Sequence, residues 1–124
     1  MMKLAIPVEG KSLDAPVCPS FGRTPFYALF DTEDGSCDFV ANAAAASPGG
    51  AGVAAAQLLA DRGAEAVITY RCGENAVQVL AAAKVVLYKA QEGTVAENIA
   101  QCQDGKLSLL TETHPGFHHG GGRR

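Results

Sequence analysis

The order in which the sequence periodicity changes constrains the fold of this chain more than any other feature. Three strand-like segments, KLAIPV, FYALFDT and CDFVANA, precede Ser47, and the last two flank a hairpin signal at Asp34-Gly35. After Ser47, helical and strand patterns alternate in AGVAAAQLLADRG, AEAVITY, GENAVQVLAAA, VVLY and TVAENIAQCQDG. The order βββαβαβα predicts an α/β domain, a mixed five-stranded sheet with three helices on its faces in the ribonuclease H-like arrangement.

Local signals predict where several elements begin and end. Pro7 in the first segment indicates either an edge strand or the end of a strand. Gly63 is placed to end the first helix, and Thr94 with Glu97 forms a capping-box pattern at the start of the third. An irregular segment from about residue 9 to residue 24 separates the first two strands, and loops of that length often carry function.

Length, charge and cysteine spacing exclude several classes of protein. A chain of 124 residues with a formal net charge of -3 forms one domain and offers no basic surface for nucleic acid. No segment is long and apolar enough to cross a membrane, and the amino terminus has no signal-peptide pattern, so we expect a cytoplasmic protein without a membrane partner. The four cysteines lack C-x-x-C spacing, which excludes a zinc ribbon and favours free thiols.

Gly50, Gly52 and Ala55 match the G-x-G-x-x-A spacing of a dinucleotide-binding turn. That turn follows the first strand of its fold and needs an acidic residue about 20 positions later. Here the preceding strand is the third, and Tyr70 and Arg71 occupy the later position. We therefore expect no binding of NAD or ATP. The glycines instead predict a helix that begins close to the sheet, with free backbone N–H groups that attract an anion.

A second helix start follows the strand that ends at Tyr70, at the sheet edge where open α/β folds bind ligands. The residues from Gly73 to Asn75 open this helix. Cys72 lies directly before it, where the positive helix end favours the thiolate that ligates metals. Cys72 can equally be a small apolar core residue, and Arg71 can be a solvated charge.

The loop VCPSFGRTPF carries Cys18 in a setting expected to be exposed, with Arg23 five residues later and Phe21 pinning the loop to the core. Cys37 and Cys102 lie in predicted regular elements and are expected to be structural thiols.

The three histidines of the chain, His114, His118 and His119, lie in a glycine-rich tail. We expect residues 1–110 to form the folded domain and residues 111–124 to form a flexible tail. The spacing of the imidazoles allows them to surround one metal ion, or the tail is simply a solvated end.

Several segments in order, FGRTPFYALFD, GGAGVAAAQLLADRGAEAVIT, GENAVQVL and EGTVAENI, together resemble the dinitrogenase iron-molybdenum cofactor-binding family. The resemblance covers residues 3 to 110 and implies a ribonuclease H-like fold and the binding or carriage of metal-sulfur clusters, which in one relative is a mixed molybdenum-copper sulfide cluster. The chain departs from the family pattern where Cys18 stands near the position of a frequent histidine and where Cys72 replaces a residue without a thiol. Both changes add a soft sulfur ligand.

The leading hypothesis is a non-enzymatic protein that binds a metal-sulfur cluster containing iron, molybdenum or copper. The cluster would lie between the helix starts at Gly50 to Gly52 and Gly73 to Asn75, with Arg23 and Arg71 as counter-charges. Its ligands would be Cys18, Cys72 or the tail imidazoles of His114, His118 and His119. Its partners would be the proteins that donate or accept the cluster, and the chain would be a monomer or a weak dimer.

Two other classes of function are considered on sequence grounds. A ribonuclease H-like nuclease needs a carboxylate cluster with one member in the first strand, and KLAIPV contains none, so this class is less favoured. A metal-free protein-interaction domain would use its cysteines only as core residues.

Overall fold

The computed structural model describes residues 2–47 and 49–110, which form a mixed sheet with three α-helices and one short 3₁₀ helix. The strands are β1 Lys3–Val8, β2 Phe26–Asp31, β3 Cys37–Ala41, β4 Ala66–Thr69 and β5 Val86–Lys89. The helices are α1 Ala51–Asp61, α2 Glu74–Ala82 and α3 Val95–Gln103, and the 3₁₀ helix is Ala43–Ala46. The predicted element order is confirmed, and the 3₁₀ helix is an addition to it.

The sheet has the strand order β3-β2-β1-β4-β5. β2 pairs antiparallel with β1 and β3, whereas β1, β4 and β5 run parallel. This topology confirms the predicted ribonuclease H-like fold class. It also corrects one of the two interpretations of Pro7, because β1 is the central strand and not an edge. Pro7 lies near the strand end, beyond the pairs that Leu4 and Ala5 make with β4.

Helices cover both faces of the sheet. Residues of α1 and α2, including Ala55, Leu59 and Leu80, pack against one face in a core that also contains Tyr27 and Val67. The other face packs against α3, in a second core whose buried residues include Leu4, Ile6, Ile68, Val95 and Ile99. Side chains on alternate positions of a strand point to opposite faces, so the apolar run of β1 supplies both cores.

The parallel strands β1, β4 and β5 all end at one edge of the sheet, which we call the carboxyl edge. The turn between β2 and β3 lies at the opposite edge, because Asp31 pairs with Lys3 at the start of β1. In the described residues, no helix is long and apolar enough to cross a membrane.

The outer edge of β5 is covered by residues 108–110, a pairing that the sequence pattern does not predict. Lys89 N donates a hydrogen bond to Ser108 O at 2.8 Å, and Leu110 N donates to Leu87 O at 2.9 Å. Because this segment runs antiparallel to β5, the chain at Leu110 heads away from the carboxyl edge. The predicted tail of residues 111–124 lies outside the described residues.

Candidate functional site

A cleft of about 490 Å³ lies at the carboxyl edge of the sheet. Three backbone segments form its walls: the loop 19–23, the start of α1 and the start of α2. The residues that line it are Pro19, Ser20, Phe21, Gly22, Arg23, Gly50, Ala51, Gly52, Val53, Arg71, Cys72, Gly73, Glu74, Asn75 and Ala76.

The first turn of α1 presents unused backbone donors to this cleft. Gly50 is its N-cap with φ 69° and ψ 24°, a left-handed conformation that glycine adopts without steric cost. A glycine has no side chain to cap the helix. Within residues 2–47 and 49–110, the amides of Ala51, Gly52 and Val53 donate to no other protein group. Among the described residues these N–H groups thus have no acceptor, as is general for the first turn of a helix without a side-chain cap.

The first turn of α2 has the same character. Its N-cap, Gly73, is extended and makes no side-chain cap hydrogen bond. In the described part of the chain, the amides of Glu74, Asn75 and Ala76 also have no protein acceptor. Within the described residues, both helices on this face of the sheet thus begin without a side-chain cap, and both N-termini line one cleft.

Helix α3 shows the contrasting arrangement. The Thr94 side chain accepts a hydrogen bond from Glu97 N at 3.1 Å, and the Glu97 carboxylate accepts one from Thr94 N at 2.9 Å. Backbone carbonyls of the long loop accept two more, from Val95 N to Ala15 O and from Ala96 N to Leu13 O. The predicted capping box is confirmed, and the start of α3 is closed to a ligand.

The loop wall of the cleft approaches the start of α1 very closely. A Cβ atom placed on Gly22 would lie 2.8 Å from Gly52 N and 2.9 Å from its Cα, so the contact requires glycine at position 22. Phe21 is buried beneath the loop with its ring edge-to-face against Tyr27, at 5.7 Å between centroids. The Tyr27 hydroxyl donates a hydrogen bond to Phe21 O. The predicted anchoring role of Phe21 is confirmed.

Two guanidinium groups and one carboxylate lie at the cleft. Arg23 is exposed, and its Nη1 donates to Ala45 O at 2.8 Å and to Ser47 O at 3.1 Å, so Arg23 also holds the segment that leads into α1. Arg71 is exposed at the far wall and also lines an adjoining hollow. The exposed Glu74 in the first turn of α2 lowers the net positive charge of the cleft.

The expectation that Cys18 is exposed is wrong. Cys18 is only 6% exposed, and its backbone N donates to Pro7 O at 2.9 Å. The loop folds back onto the end of β1, where Val17 bridges to Val8, and this long-range pairing buries the thiol. Cys18 does not line the cleft.

The expectation that the helix end favours a Cys72 thiolate is also wrong. Cys72 is 1% exposed at the floor of the cleft, and burial raises the pKa of its thiol to about 11. Burial removes the charged form of this thiol from water and so disfavours the thiolate. Cys37 and Cys102 are half-buried, in β3 and α3.

The structure gathers most of the predicted site residues at the cleft. Those that line it are Arg23, Gly50, Gly52, Arg71, Cys72, Gly73 and Asn75. The three tail histidines lie outside the described residues. Sequence patterns gave no indication of Gly22 or of the buried Asn42, because their roles depend on contacts with chain segments about 20 to 30 residues away.

The cleft does not offer a preformed set of metal ligands. Among the residues that the structure describes, no group of three or more His, Cys, Asp or Glu side chains could hold a metal ion.

Comparison with known proteins gives the family. The sequence profile described as dinitrogenase iron-molybdenum cofactor matches residues 2–105. The chain belongs to this family. The resemblance recognised in the sequence motifs is thereby confirmed, and the matched range contains every residue that lines the cleft.

Solved structures share the fold of this dinitrogenase iron-molybdenum cofactor family member. The apo form of the orange protein from Desulfovibrio gigas is 33% identical, with a TM-score of 0.85, and the alignment covers 90% of this chain and 94% of that one. A candidate NifB protein from Thermotoga is 36% identical, with a TM-score of 0.81 and coverage of 92% and 97%. An uncharacterised protein of Methanocaldococcus jannaschii is 29% identical over 110 residues, covering 86% of this chain and 90% of that protein.

Proposed function

We propose that this protein binds an anionic metal-sulfide cluster in the cleft at the carboxyl edge and carries it as cargo for cluster assembly or delivery. One observation carries the proposal: two helix N-termini without side-chain caps line the same cleft as two arginines. The role is binding and not catalysis.

The charge of the cleft favours an anion over a metal cation. Each helix N-terminus acts as roughly half a positive charge, and Arg23 and Arg71 add two full charges against the single carboxylate of Glu74. The six amides in the first turns of α1 and α2 are fixed donors that can hydrogen-bond to sulfide or oxide on the surface of such a ligand.

The family match and the donor set together support a metal-sulfide cluster as this anion. The family is described by the iron-molybdenum cofactor, and such clusters carry their own bridging and terminal sulfides. A ligand of this kind does not need the three or four protein ligands that a bare metal ion requires. Iron, molybdenum and copper are the metals consistent with a sulfide-rich cluster.

Of the four cysteines, all of which are among the described residues, Cys72 alone lines the cleft, and we propose it as a single covalent ligand to the cluster. Because burial raises its pKa to about 11, ligation has to release a proton at neutral pH. The cluster itself supplies the positive metal that stabilises the thiolate. Cys18, which lies outside the cleft lining, is not part of this ligand set.

A carrier of this kind needs partners that supply and remove the cluster. We propose cluster-handling proteins of the cytoplasm as these partners, with the chain acting as a monomer or weak dimer. The open cleft at the sheet edge leaves the cargo accessible to such a partner.

The test is an anaerobic titration with tetrathiomolybdate, alone and with copper(I), followed by absorption and calorimetry. The Arg71→Gln variant should bind about tenfold more weakly, because an exposed charge-assisted contact is lost. Arg62→Gln is the matched control, since Arg62 is an exposed arginine at the other end of α1.

Three results would contradict the proposal: no binding of tetrathiomolybdate by the wild-type chain, equal losses in the two arginine variants, or tighter binding of phosphate or ATP in parallel titrations. Absence of binding would favour the metal-free interaction domain.

A further inference from the structure

A buried asparagine outside the cleft connects two of the segments that form it. Asn42 lies between β3 and the 3₁₀ helix and is 6% exposed. Its Nδ2 donates to Gly22 O at 3.0 Å and to Thr24 O at 2.9 Å. Its Oδ1 accepts a hydrogen bond from Ala44 N at 3.1 Å. The amide group therefore uses both donors and its acceptor on backbone atoms.

The two carbonyls that Asn42 holds lie on either side of Arg23. The Arg23 guanidinium in turn binds Ala45 O and Ser47 O, which follow Asn42 in the chain. The segment 22–24 and the segment 42–47 thus each contribute one side chain that donates hydrogen bonds to backbone carbonyls of the other. We call this pair of residues the Asn42–Arg23 clamp.

The clamp determines where two walls of the cleft lie. One clamped segment contains Gly22, which contacts the backbone of Gly52 in the first turn of α1. The other leads from the 3₁₀ helix to the N-cap Gly50. The sheet fixes the clamp as a whole, because the buried Thr24 hydroxyl donates to Val8 O at 3.0 Å and Asn42 N donates to Pro25 O at 3.0 Å.

We propose that Asn42 is a positioning residue for ligand binding: it keeps Gly22 against Gly52 and orients Arg23 at the cleft without contacting the ligand. This inference rests on the proposed function in that it takes the cleft as the binding site. Loss of the clamp lets the loop 19–23 move away from α1, so the amides and the guanidinium no longer face one ligand together.

The chain contains a matched control for a buried asparagine. Asn98 is 1% exposed, and its Oδ1 accepts from Gln91 N at 2.8 Å. Its Nδ2 donates to Gln91 O and Thr94 O, both at 3.0 Å. Asn98 thus also makes three side-chain hydrogen bonds to backbone atoms, but it lies in α3 and its partners Gln91 and Thr94 do not line the cleft. Asn42→Ala and Asn98→Ala remove equivalent interactions.

The experiment measures tetrathiomolybdate affinity and unfolding free energy for both alanine variants. Both should lose similar stability, whereas only Asn42→Ala should bind about tenfold more weakly, because it alone loosens the cleft. Equal affinity losses at equal stability would overturn the proposal, since the effect would then be general destabilisation.

A serine variant separates capping from clamping. A serine at position 42 can still accept from Ala44 N as an N-cap, but it cannot donate to both Gly22 O and Thr24 O. Asn42→Ser should therefore regain stability relative to Asn42→Ala while its affinity stays low. Full recovery of affinity would show that the N-cap bond alone matters and would contradict the clamp.

Amide hydrogen exchange of the ligand-free variants distinguishes failure of this inference from failure of the proposed function. Asn42→Ala should speed exchange of the Ser47 and Ala54 amides, which donate to Ala44 O and Gly50 O in the clamped segment and at the start of α1, and Asn98→Ala should not. If the wild-type chain binds no tetrathiomolybdate, the proposed function fails, but this exchange difference still tests the clamp. If the wild-type chain binds and the exchange patterns of the two variants match, only the clamp is contradicted.

Discussion

At the scale of single residues, burial decides the chemistry of the cysteines. Cys72 lies beside an open helix N-terminus, which by itself favours a thiolate. Its side chain is nevertheless almost fully buried, and burial raises the pKa of the thiol from 9.0 to about 11. Burial removes the thiolate from water and so disfavours the charged form. The free Cys72 thiol is therefore protonated at neutral pH.

This pKa has a measurable consequence for stability. Because the folded-state pKa is higher than the unfolded one, the contribution of the neutral thiol is complete below pH 9.0 and is lost as the pH rises toward 11. The loss over that range should amount to roughly 2 to 3 kcal/mol. Denaturant unfolding of the wild-type chain and of Cys72→Ala at several pH values measures it. The wild-type curve should fall more steeply with pH, and parallel curves would contradict the assignment.

At the scale of elements, the three α-helices differ in how their N-termini are satisfied. α3 has a capping box, and two of its amides donate to carbonyls of the long loop, whereas α1 and α2 have glycine N-caps. A side-chain cap stabilises a helix, so α1 and α2 are less stable with Gly50 and Gly73 as N-caps than they would be with a capping side chain. We interpret this as a cost to stability that leaves the amides accessible to a ligand.

Adding a cap to α2 should separate stability from binding. Gly73 has φ -67° and ψ 155°, a conformation that suits an N-cap asparagine or aspartate. Gly73→Asn and Gly73→Asp should each raise the free energy of unfolding by about 0.5 kcal/mol. Both should weaken tetrathiomolybdate binding, and Asp should weaken it more because its carboxylate repels the anion.

Thr94→Ala provides the opposite control. It removes the cap of α3 and should cost about 1 kcal/mol of stability without changing the affinity. Unchanged affinity in the two Gly73 variants would show that the ligand does not use the start of α2.

Elements that depend on local signals could be predicted from the sequence, and those that depend on distant contacts could not. The capping box at Thr94 and Glu97 lies within four consecutive residues and is confirmed. The 3₁₀ helix of four alanines carries no distinctive pattern. The burial of Cys18 depends on the bridge between Val17 and Val8, which no local signal indicates.

The same reason applies to the candidate site. Its glycines and arginines were recognised because helix starts have a local signature, and the structure brings them together. Asn42 was not recognised, because its acceptors Gly22 O and Thr24 O lie 20 and 18 residues away.

At the scale of the whole molecule, the topology places both open helix starts at the carboxyl edge and directs the end of the described chain away from it. Residues 108–110 pair antiparallel with β5, so Leu110 lies toward the opposite edge. The eight residues from Leu110 to His118 extend at most about 28 Å, and β5 is only about 13 Å long. An extended chain of eight residues is therefore long enough to span from Leu110 to the carboxyl edge.

We predict that truncation after Thr113 leaves the fold and its melting temperature unchanged but weakens retention of the native cluster, because it removes His114, His118 and His119. The measurement is cluster loss over time under a chelator, without oxygen, for the truncated and full-length chains. Equal rates of loss would mean that the tail imidazoles have no part in binding.

The most direct test of the central claim is metal and sulfide analysis of the protein isolated without oxygen from its own host. The wild-type chain should contain metal and inorganic sulfide in a fixed ratio, with the intense visible absorption of sulfide-to-metal charge transfer. The Arg71→Gln variant, prepared in the same way, should retain much less of both. A wild-type protein without metal and sulfide, or equal contents in the two proteins, would contradict the assignment of the cleft as a cluster site.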